Sequence, residues 1–241
     1  FETPEKLEAA ILASKTETPS EDNRGGGSGG GGGGSKISMT APAEQSPVNN
    51  TGKNETYNKL PFKDIDNYMW AYTAIEHLYN NGICSGTSET EFSPQNNILR
   101  EEAVKLIINA FGIEASEQTE NNFTDVKGGE WYEKPVGIAV KKGIIKGISE
   151  DTFGIGENIT RQDLAVIIYR AVKESAMNIN IIIDNKAELS DLDDVSDYAS
   201  EAVSYLIDIG AIRGTDGQFL PKNYITRAEA AQMIYSVIKI R

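Results

Sequence analysis

Three arginines are the residues in this chain whose type and spacing most suggest chemistry. Arg100, Arg161 and Arg227 each stand in the first turn of a predicted helix. The helix macrodipole places partial positive charge at that end, so a cation there is unfavourable by about 0.3 kcal/mol or more. Because an arginine occupies this unfavourable position in all three helices, we predict that each guanidinium has an anionic partner.

Two kinds of partner are consistent with the sequence. The first is internal: an aspartate near the start of each repeated unit, which would hold the unit's first helix to its second. The second is a ligand carboxylate or phosphate, gripped by the arginine fork together with the free N–H groups of the helix start. The three candidate aspartates are Asp64, Asp125 and Asp194.

These residues belong to a pattern that recurs three times. The first copy begins at Phe62-Lys63-Asp64-Ile65 and the second at Phe123-Thr124-Asp125-Val126, and both place the arginine 38 residues after the phenylalanine. The third copy is predicted to begin at Leu192-Asp193-Asp194-Val195 and to be about three residues shorter. It ends in Ile225-Thr226-Arg227-Ala228-Glu229.

Each copy predicts a helix, a loop and a second helix. Apolar residues 7 and 4 positions before a glycine form one helical stripe, and that glycine is expected to end the first helix in a left-handed conformation. A loop phenylalanine should plug the core, and Thr160 with Asp163 and Thr226 with Glu229 predict caps for the second helices. The glycines are Gly82, Gly143 and Gly210, and the phenylalanines are Phe92, Phe153 and Phe219. A unit of about 50 residues cannot bury its apolar face alone, so an all-α closed triplet is expected.

Three further sets of residues are candidates for a binding site. Aromatic residues near the start of each first helix are either core anchors or stacking platforms for a sugar ring. Glycines at the end of a Gly-x-x-x-Gly loop are either turn residues or points where a ligand approaches the backbone. Lysines in the second copy are either a solvated face or part of a groove. These sets are Trp70, Trp131 and Tyr198; Gly86, Gly147 and Gly214; and Lys142 and Lys146.

Composition excludes several functions. The chain has 241 residues, and 36 acidic against 23 basic residues give it a net charge of −13, which argues against a nucleic-acid partner. No apolar run approaches the roughly 20 residues that a membrane span needs. A single cysteine, Cys84, and a single histidine, His77, remove cysteine-based zinc sites and histidine triads. The sequence therefore predicts no metal site, no cofactor and no catalytic constellation.

Glycine is concentrated in one run that divides the chain. Residues 25–60 contain that run and then a polar stretch rich in Asn, Thr, Ser and Pro, so they are predicted to be a flexible linker. Residues 1–24 are interpreted as the end of a preceding region, with a short helix at most, and the start at Phe1 suggests the C-terminal piece of a longer protein. The repeats are assigned to 61–113, 122–173 and 190–241 and are expected to form one compact module.

The three copies resemble S-layer homology (SLH) repeats. The opening Phe-x-Asp-Ile/Val, the Gly-Ile-Ile-x-Gly at 143–147 and the Ile-Thr-Arg-Ala-Glu at 225–229 carry the resemblance. It implies a pseudo-threefold all-α spindle that binds anionic, often pyruvylated secondary cell-wall polysaccharides in grooves between repeats. It also implies that the motif arginines contact the ligand, and that the protein is extracellular, in the cell wall or S-layer of a bacterium.

The function expected from these features is a non-catalytic anchor that tethers an N-terminal cargo to the wall. The alternative is a helical-repeat module that binds proteins, including S-layer neighbours in a self-assembled lattice. Only the middle copy has a net positive charge, with 8 basic and 7 acidic residues over 123–173. We therefore expect the strongest groove to be lined by that copy, with Lys142 taking part, and the groove of the first copy to be the most altered.

Overall fold

The computed structural model describes residues 60–115, 121–175, 177, 179 and 187–240. The predictions for residues 1–24 and for nearly all of the linker lie outside the described residues. Within the described ranges the chain is all-α, and each repeat contributes two helices and a connecting loop. The helices are α1 (Met69–Asn80), α2 (Arg100–Phe111), α3 (Glu133–Lys141), α4 (Arg161–Glu174), α5 (Asp197–Asp208) and α6 (Arg227–Ile238). Short 3₁₀ turns cover Asp66–Tyr68 and Leu192–Asp194.

The first helix of each repeat ends where the sequence predicts. Gly82, Gly143 and Gly210 have φ of 68°, 67° and 71°, which an L side chain adopts at a cost. The loop phenylalanines Phe92 and Phe153 lie fully in the core, with 2% and 0% of their surface exposed. The predicted left-handed caps and aromatic plugs are confirmed.

The second helices begin at the three arginines, as predicted, but their caps differ. Thr226 Oγ1 accepts from the Glu229 N–H, and Glu229 returns the bond by accepting from the Thr226 N–H. Thr160 accepts from the Asp163 N–H at 3.2 Å. Leu99 has no side-chain acceptor, and Glu102 supplies half of the cap by accepting from the Leu99 N–H at 3.0 Å.

A ring of backbone hydrogen bonds closes the triplet on its axis. The N–H of Ile98 donates to the carbonyl of Ile225 (3.0 Å), Ile225 to Ile159 (3.1 Å) and Ile159 back to Ile98 (3.3 Å). All three side chains are fully buried. Each repeat therefore gives one hydrogen bond and accepts one, and the last repeat is joined to the first.

Helix packing follows the same cyclic order. The first helix of each repeat packs on the second helix of the preceding repeat, so that α3 lies on α2, α5 on α4 and α1 on α6. The second helices meet near the axis, where α2 contacts both α4 and α6. The apolar residues of all three repeats form a single core. The predicted pseudo-threefold all-α fold is confirmed.

The register predicted for the start of the third repeat is wrong by three residues. In the first two repeats the opening aspartate accepts from the N–H of the loop phenylalanine 28 residues later, Asp64 from Phe92 and Asp125 from Phe153. In the third repeat Asp191, not Asp194, makes this bond, with Phe219 at 2.8 Å. Asp194 is exposed in a 3₁₀ turn.

Leu189 explains why the sequence misleads at this point. Its Cδ2 lies close to Gly214, as the rings of Phe62 and Phe123 lie close to the corresponding glycines of their own repeats. Leu189 therefore occupies the position that Phe62 and Phe123 hold in the first two repeats. The third repeat thus begins without the aromatic residue that marks the beginning of the other two. With this register the third repeat also spans 38 residues from Leu189 to Arg227, so it is not shorter.

The two aspartates offer a matched test of the corrected register. Asp191→Ala removes the acceptor of two loop N–H groups, those of Phe219 and Leu220. We expect it to lower the free energy of unfolding by about 1–3 kcal/mol, because buried donors are left without partners. Asp194→Ala should change that energy by less than about 0.5 kcal/mol, as at other exposed sites. Urea unfolding of both variants checks this, and equal losses would contradict the register.

Candidate functional site: the grooves between repeats

The arginines of the motif reach out of their own repeat. Each donates from Nε to the backbone carbonyl of the loop phenylalanine in the next repeat, and its guanidinium lies over the ring of that phenylalanine at 5.0–5.5 Å. The three pairs are Arg100 with Phe153 (3.2 Å), Arg161 with Phe219 (2.6 Å) and Arg227 with Phe92 (2.9 Å). The arginines are 8–9% exposed. They therefore connect each repeat to the next and close the cycle.

Carboxylates are also present, but they are not the predicted aspartates. Arg161 pairs with Glu229 at 2.7 Å, and Arg227 pairs with Glu102 at 3.0 Å. In each case the carboxylate belongs to the third residue of the next repeat's second helix, where it also caps that helix. An internal anionic partner is therefore confirmed for Arg161 and Arg227, but it is a glutamate and not the predicted aspartate.

Arg100 differs from the other two arginines. Asp163 stands where they have a glutamate, and its shorter side chain accepts from the hydroxyl of Tyr198 at 2.7 Å. Arg100 donates instead to the carbonyls of Phe153 and Lys146. Burial lowers the pKa of Arg100, and the negative charge of Asp163 partly offsets this.

The N–H groups that open the second helices already have partners. Each arginine N–H donates to a carbonyl in the next repeat at 2.9 Å, so the first N–H of every second helix is used. The acceptors are Glu157 for Arg100, Asn223 for Arg161 and Asn96 for Arg227. The prediction that these N–H groups are free to grip a ligand is therefore wrong, because the ring closure itself satisfies them.

The opening aspartates hold loops and not arginines. Asp125 accepts from the N–H groups of Phe153, Gly154 and Ile155 at 2.7–2.9 Å. Burial acts to raise the pKa of Asp125, but these three donors outweigh it and the pKa is lowered. Asp64 makes the equivalent bonds to Phe92 and Ser93. These carboxylates shape the loop wall of a groove.

The aromatic residues of the first helices are not core anchors in two of the three repeats. Trp70 and Trp131 are 49% and 48% exposed. Tyr198 is half-buried, donates to Asp163 and accepts from the Gln162 amide at 2.9 Å. Two of the three positions therefore hold a half-exposed indole, of which Trp131 lines a cavity, and the third is occupied with internal hydrogen bonds.

The loop glycines are required by close packing. A Cβ on Gly86 would overlap the backbone carbonyls of Ser88 and Glu91, and a Cβ on Gly147 would overlap those of Ser149 and Thr152. Gly214 has φ of 73° and approaches the carbonyl of Gln218 in the same way. The turn interpretation explains these glycines fully, and Gly86 also lines a cavity.

The lysines of the middle repeat are engaged with the protein. Lys142 Nζ forms an ion pair with Glu174 at 2.7 Å. Lys146 contributes its backbone carbonyl, which accepts from Arg100 at 3.3 Å. Neither observation assigns these side chains to a ligand, so the participation of Lys142 stays a prediction.

An open groove of about 530 Å³ lies between the first and second repeats, and we call it the first groove. Its walls come from all three repeats: the loop Gly82–Thr87 from the first, Trp131 from the second and Arg227 from the third. Lys105 completes it, with Nζ 5.0 Å from the centroid of the Trp131 ring. Its volume is in the range typical of small-ligand sites.

Sequence reasoning missed Lys105, because the residue does not recur. The positions five residues after Arg161 and Arg227 hold Val166 and Gln232. A search for features shared by all three copies passes over a cation that only one copy has. Alignment of the helices on their arginines would have shown it as the one charged residue at that position.

The first groove combines the Arg227–Glu102 ion pair with apolar surface. Three of the five N–H donors of Arg227 donate within the described residues, to the carbonyls of Phe92 and Ser85 and to the carboxylate of Glu102. Cys84 also lines the groove, and burial raises the pKa of its thiol to about 12. The thiol therefore stays protonated and acts as a small apolar surface.

Metal ligation and membrane insertion find no support in the part of the chain that the structure describes. No group of three or more His, Cys, Asp or Glu side chains there is arranged to hold a metal ion. None of the helices in that part is long and apolar enough to cross a bilayer.

Comparison with known proteins agrees with this architecture. The family model described as S-layer homology domain matches residues 61–104, 122–165 and 188–231. The chain belongs to the S-layer homology family. The third match begins before Leu189, in agreement with the corrected register. The SLH repeats form a cell-surface module of the bacterial cell wall, and such a module is a non-catalytic anchor.

Relatives of this SLH chain include enzymes and S-layer proteins. It is 31% identical over 190 residues to an endoglucanase of Bacillus sp. strain KSM-635, and 34% identical over 188 residues to the exoglucanase XynX of Acetivibrio thermocellus. It is 26% identical over 189 residues to the S-layer protein sap of Bacillus anthracis. These matches cover 75–78% of this chain but only 16–22% of the relatives.

A buried carboxylate at the junction of the first two repeats gives a pH-dependent test of this packing. Glu101 is 4% exposed and accepts from the Gly156 N–H with both oxygens at 3.1 Å. Burial raises the pKa of Glu101. The folded state therefore holds this proton at higher pH than the unfolded state. The stability contributed at Glu101 is greatest below the ordinary Glu pKa of about 4.3 and falls as the pH rises through the folded value.

Glu101→Gln should remove this titration while its amide oxygen still accepts from Gly156. Gln162 stands at the equivalent position of the second repeat, so the fold accommodates glutamine there. We expect the variant to be more stable than wild type near pH 7 and the difference to shrink toward about pH 4. Urea unfolding across this range measures it, with exposed Glu89→Gln as the control. A difference that does not change with pH would contradict the prediction.

Proposed function

We propose that the SLH module anchors its parent protein by binding an anionic secondary cell-wall polysaccharide in the first groove. The observation that carries this proposal is the convergence of Arg227, Lys105 and Trp131 on one open cavity. Two cations and an exposed indole from three different repeats meet there, although the chain as a whole is strongly acidic.

The chemistry of the groove suits an acidic sugar. An arginine fork binds a carboxylate through charge-assisted hydrogen bonds, and Lys105 adds a second positive charge at the rim. The face of Trp131 offers an apolar surface to a pyranose ring. A pyruvate ketal is a compact carboxylate fixed to a sugar, so a pyruvylated residue would place its charge near Arg227 while its ring covers Trp131.

The other two grooves are less suited to this ligand. In the second groove, formed around Arg100 and the loop Gly143–Gly147, Tyr198 takes the place of the indole and is hydrogen-bonded to Asp163. In the third, formed around Arg161 and the loop Gly210–Gly214, Gln232 stands in the place of Lys105. The first groove takes its loop from the first repeat and its indole, Trp131, from the middle repeat, which the sequence analysis expects to line the strongest groove.

The polar segment that precedes the repeats fits an anchoring role. Residues 25–60 are predicted from composition to be a flexible linker, which would hold a cargo at a distance from the wall. The relatives named endoglucanase and exoglucanase are five to six times longer than the matched region, and this is consistent with a mobile cargo attached to a small anchor. That this chain carries such a cargo on the N-terminal side of its linker belongs to the proposal.

Binding to purified cell-wall polysaccharide tests the proposal. Isothermal titration calorimetry with the extracted polysaccharide should show saturable binding by wild type. Trp131→Ala and Lys105→Ala should each weaken binding about tenfold, because each removes one of the contacts that only the first groove combines. Arginine variants are unsuitable here, because the arginines join the repeats.

Trp70→Ala is the matched control, because Trp70 is an equally exposed indole at the equivalent position of the first repeat and does not line the first groove. It should change affinity by less than about twofold. An equal loss for Trp70→Ala and Trp131→Ala would contradict the choice of groove. Undiminished binding of wild type to wall sacculi stripped of their polysaccharide would overturn the ligand class and favour a protein partner.

A further inference from the structure

The first groove does not end at Trp131 and Lys105. A second cavity of about 610 Å³ continues from it along the junction of α2 and α3, and we call it the adjoining pocket. Five residues line both cavities, so the two form one continuous furrow. The shared residues are Gly82, Ile83, Lys105, Asn109 and Trp131.

The junction of the second and third repeats is filled at the corresponding place. Tyr169 of α4 and Tyr205 of α5 meet there in an edge-to-face contact with ring centroids 5.1 Å apart. Lys173 extends over both rings, with Nζ at 5.1 and 5.5 Å from their centroids. Glu201 accepts from the Tyr169 hydroxyl and fixes the pair. Side chains thus occupy the space between these helices.

The junction of the third and first repeats is filled in the same way. Tyr235 of α6 and His77 of α1 lie 5.1 Å apart between ring centroids, at the positions equivalent to Tyr169 and Tyr205. Lys239 Nζ lies 5.6 Å from the centroid of the Tyr235 ring. Two of the three junctions therefore carry a ring pair covered by a lysine.

The first junction has smaller residues at all three of these positions. Ile108 replaces the tyrosine of the second helix, Ile138 replaces the ring of the first helix, and Gly112 replaces the lysine. All three line the adjoining pocket. Loss of two rings and one long side chain at a single junction explains why the furrow continues there.

The adjoining pocket has the surface that a sugar ring needs. Its floor is apolar, formed by Ile108, Ile113 and Ile138, which are 5–7% exposed. Asn81 and Lys134 stand on the rim with exposed polar groups. An apolar floor with a polar rim fits a pyranose, which has apolar faces and hydroxyl groups around its edge.

We propose that the adjoining pocket is a second subsite, which binds the sugar residues that follow the one held beside Arg227 and Trp131. The inference rests on the proposed function, because it takes the first groove as the place where the polysaccharide enters. It adds that this SLH module recognises a stretch of the polymer and not a single terminal sugar. Among the three junctions in the part of the chain that the structure describes, the first is the one that lacks the ring pair and its lysine.

Comparison of a short and a long ligand tests the second subsite. The probes are the methyl glycoside of a pyruvylated hexopyranose and a trisaccharide of the extracted wall polysaccharide that ends in a pyruvylated sugar. Wild type should bind the trisaccharide about tenfold more tightly. Ile108→Tyr/Ile138→Tyr, which copies the ring pair of the second junction, should reduce that advantage to less than about twofold and leave binding of the monosaccharide unchanged.

Gly112→Asn provides a second variant that does not alter the core. No atom lies within 4 Å of a Cβ at this glycine, and asparagine tolerates its left-handed backbone better than other side chains do. It should reduce the trisaccharide advantage by about threefold. An unchanged advantage in both variants would overturn the second subsite while the first groove stands. If wild type does not bind the monosaccharide at all, the proposed function is overturned, and the second subsite with it.

Discussion

The structure depends on closure of three repeats into a ring. A repeat of this size has two short helices and leaves one apolar face of each uncovered, so no single copy can form a core. The hydrogen bonds among Ile98, Ile159 and Ile225 close the chain on its axis, and each motif arginine adds a bond to the next repeat's loop. Because the third repeat is joined to the first, no terminal repeat needs a separate cap.

Closure of the ring also fixes the geometry that recurs at the three junctions between repeats. The arginines are held by carbonyls, rings and carboxylates of the neighbouring repeat, so under the proposed function they would lose little freedom when a ligand binds. Ring closure also assembles the walls of the first groove, because its loop, its indole and its guanidinium come from three different repeats. Differences among the grooves then come from the residues that do not recur, such as Lys105, Tyr198 and Gly112.

The parts of this fold that could be predicted from sequence are local ones. Gly82 ends a helix and Thr226 begins one for reasons contained within a few residues. The partners of the arginines could not be predicted, because they lie 53, 58 and 135 residues away and no pattern within one copy refers to them. The start of the third copy was misplaced because Leu189 carries no aromatic signal. Lys105 was missed because a search for repetition ignores what occurs once.

Amide hydrogen exchange at the three axial isoleucines tests ring closure most directly. If the ring is the constraint on which the fold depends, the N–H groups of Ile98, Ile159 and Ile225 can exchange only when the whole module unfolds. All three should then show the same opening free energy, equal to that of global unfolding, and the same dependence on denaturant. Exchange of the Ile98 amide, which bonds to the third repeat, at a clearly lower free energy than Ile225 would show that the cycle opens locally and would contradict this account.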